Sequence, residues 1–94
     1  MRAIQISQYG EPDVLKIQDV NSLSPGPGQA SIRIKAAGVN FIDIYQRRGT
    51  YPVKLPYIPG LEASGVVEAI GEGVTNVKPG DRVAYVHEPG SYAE

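Results

Sequence analysis

The sequence of 94 residues has no cysteine and a single histidine, His87. The absence of cysteine excludes disulfide scaffolds and thiolate zinc sites, and one histidine cannot by itself build a multi-histidine metal site. Neither sign of charge dominates, since nine basic and ten acidic residues leave a net charge of −1. Without a basic stripe to neutralise phosphates, we do not expect a nucleic acid as partner.

Long apolar runs are also missing. The longest are far shorter than a membrane span, and the N-terminal residues MRAIQISQYG lack the apolar core of an export signal. We therefore expect a protein without membrane association, located in the cytoplasm. The length corresponds to one small domain, spanning residues 1–94.

Leucine and methionine are scarce, with five residues in total against nineteen valines and isoleucines. Branched side chains suit half-buried strands and are stiff in helices, so this balance favours β structure. The nineteen glycines and prolines fall between the apolar stretches, which is typical of short strands joined by turns. The fold class that we predict is mainly β, a small, partly open β-barrel with one short helix.

Alternation of apolar and polar residues marks the predicted strands. The clearest strand covers 29–39, where Ala30, Ile32, Ile34 and Ala36 would share one face. A strand that begins at 91–94 and stops there would leave an unpaired edge, so we expect the chain to be part of a longer protein. The remaining predicted strands are an opening strand around Ile4 and Ile6, a return strand over 14–20, and strands over 62–70 and 82–86.

The apolar period becomes helical after residue 39, which predicts a single helix at about 40–48. Asn40 can cap its first turn, Asp43 stands where a capping box places an acid, and Gly49 is a natural stop. Capping alone would explain both Asn40 and Asp43. Arg47 and Arg48 suit the negative end of the helix dipole, and we expect them to form a solvated helix end.

Three further segments have candidate chemistry. Gly71–Asn76, with the sequence GEGVTN, approaches a dinucleotide fingerprint, but its third glycine is replaced by Asn76 and Pro79 ends any following helix, so we interpret it as a hairpin turn. His87 has no patterned nucleophile and is interpreted as a solvated loop residue. Tyr45 and Tyr51 bracket the helix end, and a phenol offers an apolar ring and a hydroxyl for gripping a flat carbonyl compound.

Four ordered motifs carry a family resemblance: GEPDVL at 10–15, AAGVNFIDIYQRRGTYP at 36–52, PGLEASGVV at 59–67 and PGDRV at 79–83. Together they resemble the medium-chain dehydrogenase/reductase superfamily, in its quinone oxidoreductase (zeta-crystallin-like) branch. The resemblance covers essentially the whole chain. It implies the N-terminal part of a GroES-like catalytic domain, incomplete here, with the Rossmann cofactor domain absent.

The same resemblance bears on metals and cofactors. Alcohol dehydrogenases of the superfamily hold a catalytic zinc with a cysteine and a histidine at the positions of Asn40 and Leu61, and neither side chain can replace them. The resemblance thus implies no zinc, and hydride transfer from NADPH to a quinone or an enone. An enoyl or double-bond reductase and a non-enzymatic GroES-like module stay open as alternatives.

The resemblance also assigns roles to four residues. Asn40 and Tyr45 would bind the cofactor on its nicotinamide side, Tyr45 and Tyr51 would be the catalytic residues, and Asn40, Asp43 and Tyr51 would contact the substrate. Asp43 would orient these groups or cap the helix. The parent protein is expected to be a homo-oligomer, and the 94-residue chain alone is expected to be inactive and to bind NADPH weakly.

Overall fold

The computed structural model describes residues 1–94, which form five strands, one α-helix and one 3-10 turn at Pro12–Val14. The fold is mainly β with a single short helix, as predicted, and its sheets are open and do not close into a barrel. The single α-helix has eight residues, and no helix of the chain has the length and hydropathy needed to span a bilayer. The elements are β1 (Arg2–Gln5), β2 (Lys16–Asp19), β3 (Ala30–Ala37), α1 (Phe41–Arg48), β4 (Ala63–Ile70) and β5 (Arg82–Tyr85).

All strand pairs are antiparallel, and they form two sheets. β1 and β2 form a two-stranded sheet in which Ile4 lies opposite Ile17. The other sheet has the order β3-β4-β5. Most predicted strands lie within two residues of their observed bounds. The predicted strand 14–20 begins two residues too early, because Val14 belongs to the 3-10 turn and β2 starts at Lys16.

Strand β3 departs from the predicted alternation. Its pairing with β4 is irregular between Ser31 and Ile32 and again between Ile34 and Ala36. Each such bulge adds a residue to one strand and shifts the following side chains to the other face. Ile32 and Ile34 are half-buried, as the alternation predicts, but Ala36 is exposed. The prediction for Ala36 is therefore wrong.

The segment 91–94 connects β1 to the loop before β4 through backbone hydrogen bonds. The amide of Ile4 donates to the carbonyl of Tyr92 over 2.8 Å, and the amide of Tyr92 donates to the carbonyl of Pro59 over 3.0 Å. Ala93 forms an isolated bridge with Ala3, so the strand predicted here is reduced to one bridged pair. This arrangement places Tyr92 between the N-terminal strand and the loop before β4.

The buried core is small for a chain of this mass. Its buried hydrophobic residues are Ala3, Ile6, Val14, Ala63 and Val67. The accessible surface is 6340 Å², whereas a compact monomer of 10.1 kDa exposes about 5,300 Å² by the usual scaling with mass. The fold therefore leaves more surface open than a compact monomer of its size.

The two arginines at the end of α1 have different environments. Arg48 is exposed and pairs with the carboxylate of Glu11 at 3.4 Å, which agrees with a solvated helix end. Arg47 is only 8 % exposed, and its Nε donates to the carbonyl of Gly10 over 3.0 Å. The amide of Gly10 donates back to the carbonyl of Arg47. The prediction for Arg47 is wrong because Arg47 lies one turn after the buried Asp43, on the same face of α1.

Substitution of each arginine by alanine tests this difference. Arg47→Ala removes a buried donor and its packed stem, so we expect the free energy of unfolding to fall by about 2–3 kcal/mol. Arg48→Ala removes an exposed ion pair and is expected to cost about 0.5 kcal/mol or less. Urea unfolding of the chain and both variants measures the two losses. Equal losses would contradict the structural role of Arg47.

Candidate active site

Helix α1 starts at the position that its capping residues dictate. Asn40 has extended backbone angles (φ −131°, ψ 157°) and is the N-cap. The Oδ2 atom of Asp43 accepts a hydrogen bond from the Asn40 amide over 3.0 Å, and the Asp43 amide donates to the Asn40 carbonyl over 3.0 Å. These bonds satisfy backbone amides that the start of a helix otherwise leaves without a hydrogen-bond partner. The predicted cap at Asn40 and the acid at Asp43 are confirmed.

The chain reverses its direction after the last turn of α1. Gly49 has a left-handed φ of 82°, which glycine adopts without steric cost. The reversal lets the amide of Tyr51 donate to the carbonyl of Tyr45 over 3.2 Å. The two rings then meet edge to face, with centroids 5.4 Å apart and an interplanar angle of 73°. The structure thus brings together the two tyrosines that were singled out in the sequence.

Large apolar side chains lie exposed around this pair. Val39 and Phe41 flank Asn40 and are 79 % and 78 % exposed, while Tyr45 and Tyr51 are 41 % and 52 % exposed. Phe41 lies one turn before Tyr45 on the same side of α1. We call Phe41, Tyr45 and Tyr51 the aromatic face. Contiguous exposed apolar surface of this kind marks a binding site or an interface.

The polarity of α1 is inverted relative to an ordinary surface helix. Its two buried residues are Asp43 and Arg47, whereas Phe41 and Tyr45 face solvent. A surface helix normally buries its apolar stripe and exposes its charges. Buried polar groups and exposed apolar patches are the informative departures from that rule. The inversion indicates that the outer side of α1 is built to contact something other than water.

Asp43 is the buried centre of this arrangement. It is 6 % exposed, and its Oδ2 accepts a second hydrogen bond from the hydroxyl of Tyr92 over 2.6 Å. Its Oδ1 is buried and has no hydrogen-bond partner. Tyr92 was not identified from the sequence. It lies 49 positions from Asp43, and no local pattern at Tyr92 points to this contact.

A partly open cleft of about 120 Å³ lies on the buried side of α1. Of the residues predicted for the site, only Asp43 lines it, and Tyr45 and Tyr51 do not. The cleft and the aromatic face are therefore separate features, and the aromatic face contains the predicted catalytic residues. The cleft is lined by Leu15, Val39, Asp43, Ile44, Arg47, Pro59 and Tyr92.

The phenol of Tyr92 is held in its neutral form. Burial raises its pKa well above the ordinary value of 10.0, and the hydrogen bond to Asp43 and the negative charge of that carboxylate raise it further. Tyr57, which donates to Oε1 of Gln46 over 3.2 Å, also has a raised pKa, mainly through burial and then through the charge of Asp43.

The side chains of the 94 residues form no metal cluster, and the glycine-rich segment 71–76 forms a turn. No group of three or more histidine, cysteine, aspartate and glutamate side chains is placed to hold a metal ion. Glu72 and Gly73 form a turn, and the Gly71 amide already donates to the carbonyl of Gln29 over 2.7 Å. The interpretation of Gly71–Asn76 as a turn is confirmed. His87 is an exposed loop residue with a φ of 64°, which agrees with its interpretation.

The raised pKa of Tyr92 has a consequence at alkaline pH. A phenol whose pKa is higher in the folded state stabilises the fold below pH 10.0, its value in the absence of structure, and this stabilisation is lost as the pH rises above that value. Tyr92→Phe should therefore be less stable than the parent chain near neutrality and should lose stability less steeply above pH 10.0. Urea midpoints measured across this range provide the test, and parallel pH profiles would contradict it.

Comparison with known proteins identifies the family. The alcohol dehydrogenase GroES-like domain matches residues 26–93. The chain is 49 % identical over 98 residues to the quinone oxidoreductase of Lama guanicoe and 47 % identical over 95 residues to that of Pseudomonas aeruginosa. The matched region makes up 100 % and 99 % of this chain, respectively, but only 30 % and 29 % of the two relatives.

A solved structure agrees with these relatives. The quinone oxidoreductase of Escherichia coli in complex with NADPH superposes with a TM-score of 0.96 and 38 % identity, over 99 % of this chain and 29 % of that one. The open β fold with its single helix thus belongs to a GroES-like domain. The chain belongs to the alcohol dehydrogenase GroES-like domain family, and its relatives lie in the predicted quinone oxidoreductase branch of the medium-chain dehydrogenase/reductase superfamily.

Proposed function

We propose that the chain is the N-terminal part of the catalytic domain of a zinc-independent NADPH:quinone oxidoreductase. The chain covers 30 % of the length of the Lama guanicoe relative. The rest of the full-length protein, about 70 %, would contain the Rossmann cofactor domain and the remainder of the catalytic domain. The proposal rests chiefly on the inverted helix α1, whose exposed aromatic residues stand beside its N-terminal Asn40. It includes a homo-oligomeric parent located in the cytoplasm.

The residues of this chain suit only one end of NADPH. The aromatic face offers flat apolar surface for the nicotinamide ring, and the half-buried Asn40 offers a carboxamide that can both donate and accept hydrogen bonds. The backbone turns at Glu72 and Gly73, and no helix follows Gly71–Asn76 whose N-terminus could bind the pyrophosphate. Asn40 and Tyr45 would therefore hold the nicotinamide side, and the phosphates would bind elsewhere in the protein.

When bound, NADPH supplies the hydride, which carries two electrons and one proton to the acceptor. Tyr51 would lie against the acceptor and donate its hydroxyl hydrogen bond to the quinone oxygen on which negative charge develops. The edge-to-face contact with Tyr45 holds the Tyr51 ring in place for this task. A quinone is already electrophilic, so orientation beside the nicotinamide, together with this hydrogen bond, would be sufficient activation. Water supplies the proton that completes the hydroquinone.

Asp43 would have an indirect role in the site. Because it is only 6 % exposed and its Oδ2 is shared between the Asn40 amide and Tyr92, it is suited to orienting Asn40. Its part in substrate binding would then act through Asn40 and not through direct contact. Asn40 and Leu61 stand at the two positions implied for zinc ligands, and a carboxamide with an alkyl side chain is a poor donor set for zinc.

The discriminating experiment compares acceptors in the full-length protein. We expect NADPH oxidation with a quinone, a much slower reaction with an enoyl thioester, and no effect of a metal chelator on the quinone rate. A rate that is higher with the enoyl thioester would favour the double-bond reductase. Absence of oxidation with both acceptors would favour a non-enzymatic module, and inhibition by the chelator would refute zinc independence.

A tyrosine substitution tests the role of Tyr51. Tyr51→Phe keeps the ring pair and removes the hydroxyl, so kcat/KM for the quinone should fall about tenfold while the Kd of NADPH stays the same. Tyr9→Phe is the matched control, because the Tyr9 hydroxyl bonds only to the backbone of Val53. Equal kcat/KM values for the parent and Tyr51→Phe would remove Tyr51 from the proposed site.

A further inference from the structure

Tyr92 reaches the start of α1 from the far end of the chain. Its hydroxyl donates to Oδ2 of Asp43 over 2.6 Å, a length typical of an O–H donor bonded to a carboxylate. The same Oδ2 accepts the Asn40 amide over 3.0 Å. One buried oxygen atom thus joins Tyr92 to the N-cap of the helix.

Both the backbone and the ring of Tyr92 are held in place by neighbouring residues. Its amide and carbonyl are bonded to Pro59 and Ile4, respectively. Its ring lies against Gly60, where a Cβ atom would approach the Tyr92 Cδ1 to 2.6 Å, and Gly60 has a φ of 95°. A phenol fixed in this way has little freedom to move away from Asp43. It therefore provides a rigid support for that carboxylate.

We propose that Tyr92 is a positioning residue for Asn40. By holding Oδ2 of Asp43 in place, Tyr92 fixes the first turn of α1 and with it the direction in which the Asn40 side chain is presented beside the aromatic face. The proposal rests on the function proposed above in one respect, which is that Asn40 meets the nicotinamide. The hydrogen-bond chain from Tyr92 to the Asn40 amide is independent of that function.

Tyr57 provides a matched comparison. It is also a half-buried tyrosine that donates to a side chain of α1, but its partner is Gln46, in the second half of the helix. Tyr57→Phe and Tyr92→Phe each remove one phenolic hydroxyl bonded to the same helix. Only Tyr92→Phe removes the support of the N-cap. A purely structural role would give the two variants similar effects.

The first experiment measures hydrogen exchange at the Asn40 amide in the full-length protein without cofactor. Tyr92→Phe should accelerate this exchange about tenfold, because Asp43 is then held by Asn40 alone, while Tyr57→Phe should leave it unchanged. Thermal unfolding of both variants checks that each is folded. Unchanged exchange in Tyr92→Phe, or equal acceleration in both variants, would overturn the proposal.

The second experiment measures the Kd of NADPH in a double-mutant cycle. Tyr92→Phe should weaken NADPH binding about three- to tenfold, and in an Asn40→Ala background it should have no further effect. Additive losses would overturn a role that acts through Asn40. If Asn40→Ala leaves NADPH binding unchanged, the assignment of Asn40 in the proposed function fails and so does its positioning by Tyr92 for the cofactor. The exchange experiment still judges the hydrogen-bond chain by itself.

Discussion

The site depends on the hydrogen bonds that the buried carboxylate of Asp43 accepts. A carboxylate removed from water is costly unless it is hydrogen-bonded. Here its Oδ2 accepts hydrogen bonds from the Asn40 amide and the Tyr92 hydroxyl. These contacts join the start of α1 to the segment that also bridges β1. The helix therefore has a fixed start, although a helix of eight residues has little stability of its own.

The polarity of α1 follows from this anchoring. Asp43 and Arg47 occupy the inner side of the helix, so Phe41 and Tyr45 are turned outward beside Asn40. Tyr51 joins them because Gly49 reverses the chain. The outward aromatic residues are thus a consequence of which groups the helix buries. The same polar contacts that order the helix also create the surface on which we place the nicotinamide and its acceptor.

Local signals in the sequence predicted much of this arrangement. The bounds of α1 followed from Asn40, Asp43 and Gly49, because capping depends on residues within one turn of each other. The side of the helix that is buried did not follow, since it depends on Gly10 and Tyr92, which are distant in sequence. For the same reason Arg47 was wrongly expected in solvent. Ala36 was misplaced because alternation does not reveal bulges.

The three-stranded sheet has a consequence for handling the protein. β3 and β5 lie at its two edges, and each has a row of backbone amides and carbonyls without a neighbouring strand on its outer side. Such edges are templates for pairing with another polypeptide. Chains of this length, produced by themselves at high concentration, are therefore prone to join edge to edge, and the assemblies would grow along the direction of the backbone hydrogen bonds.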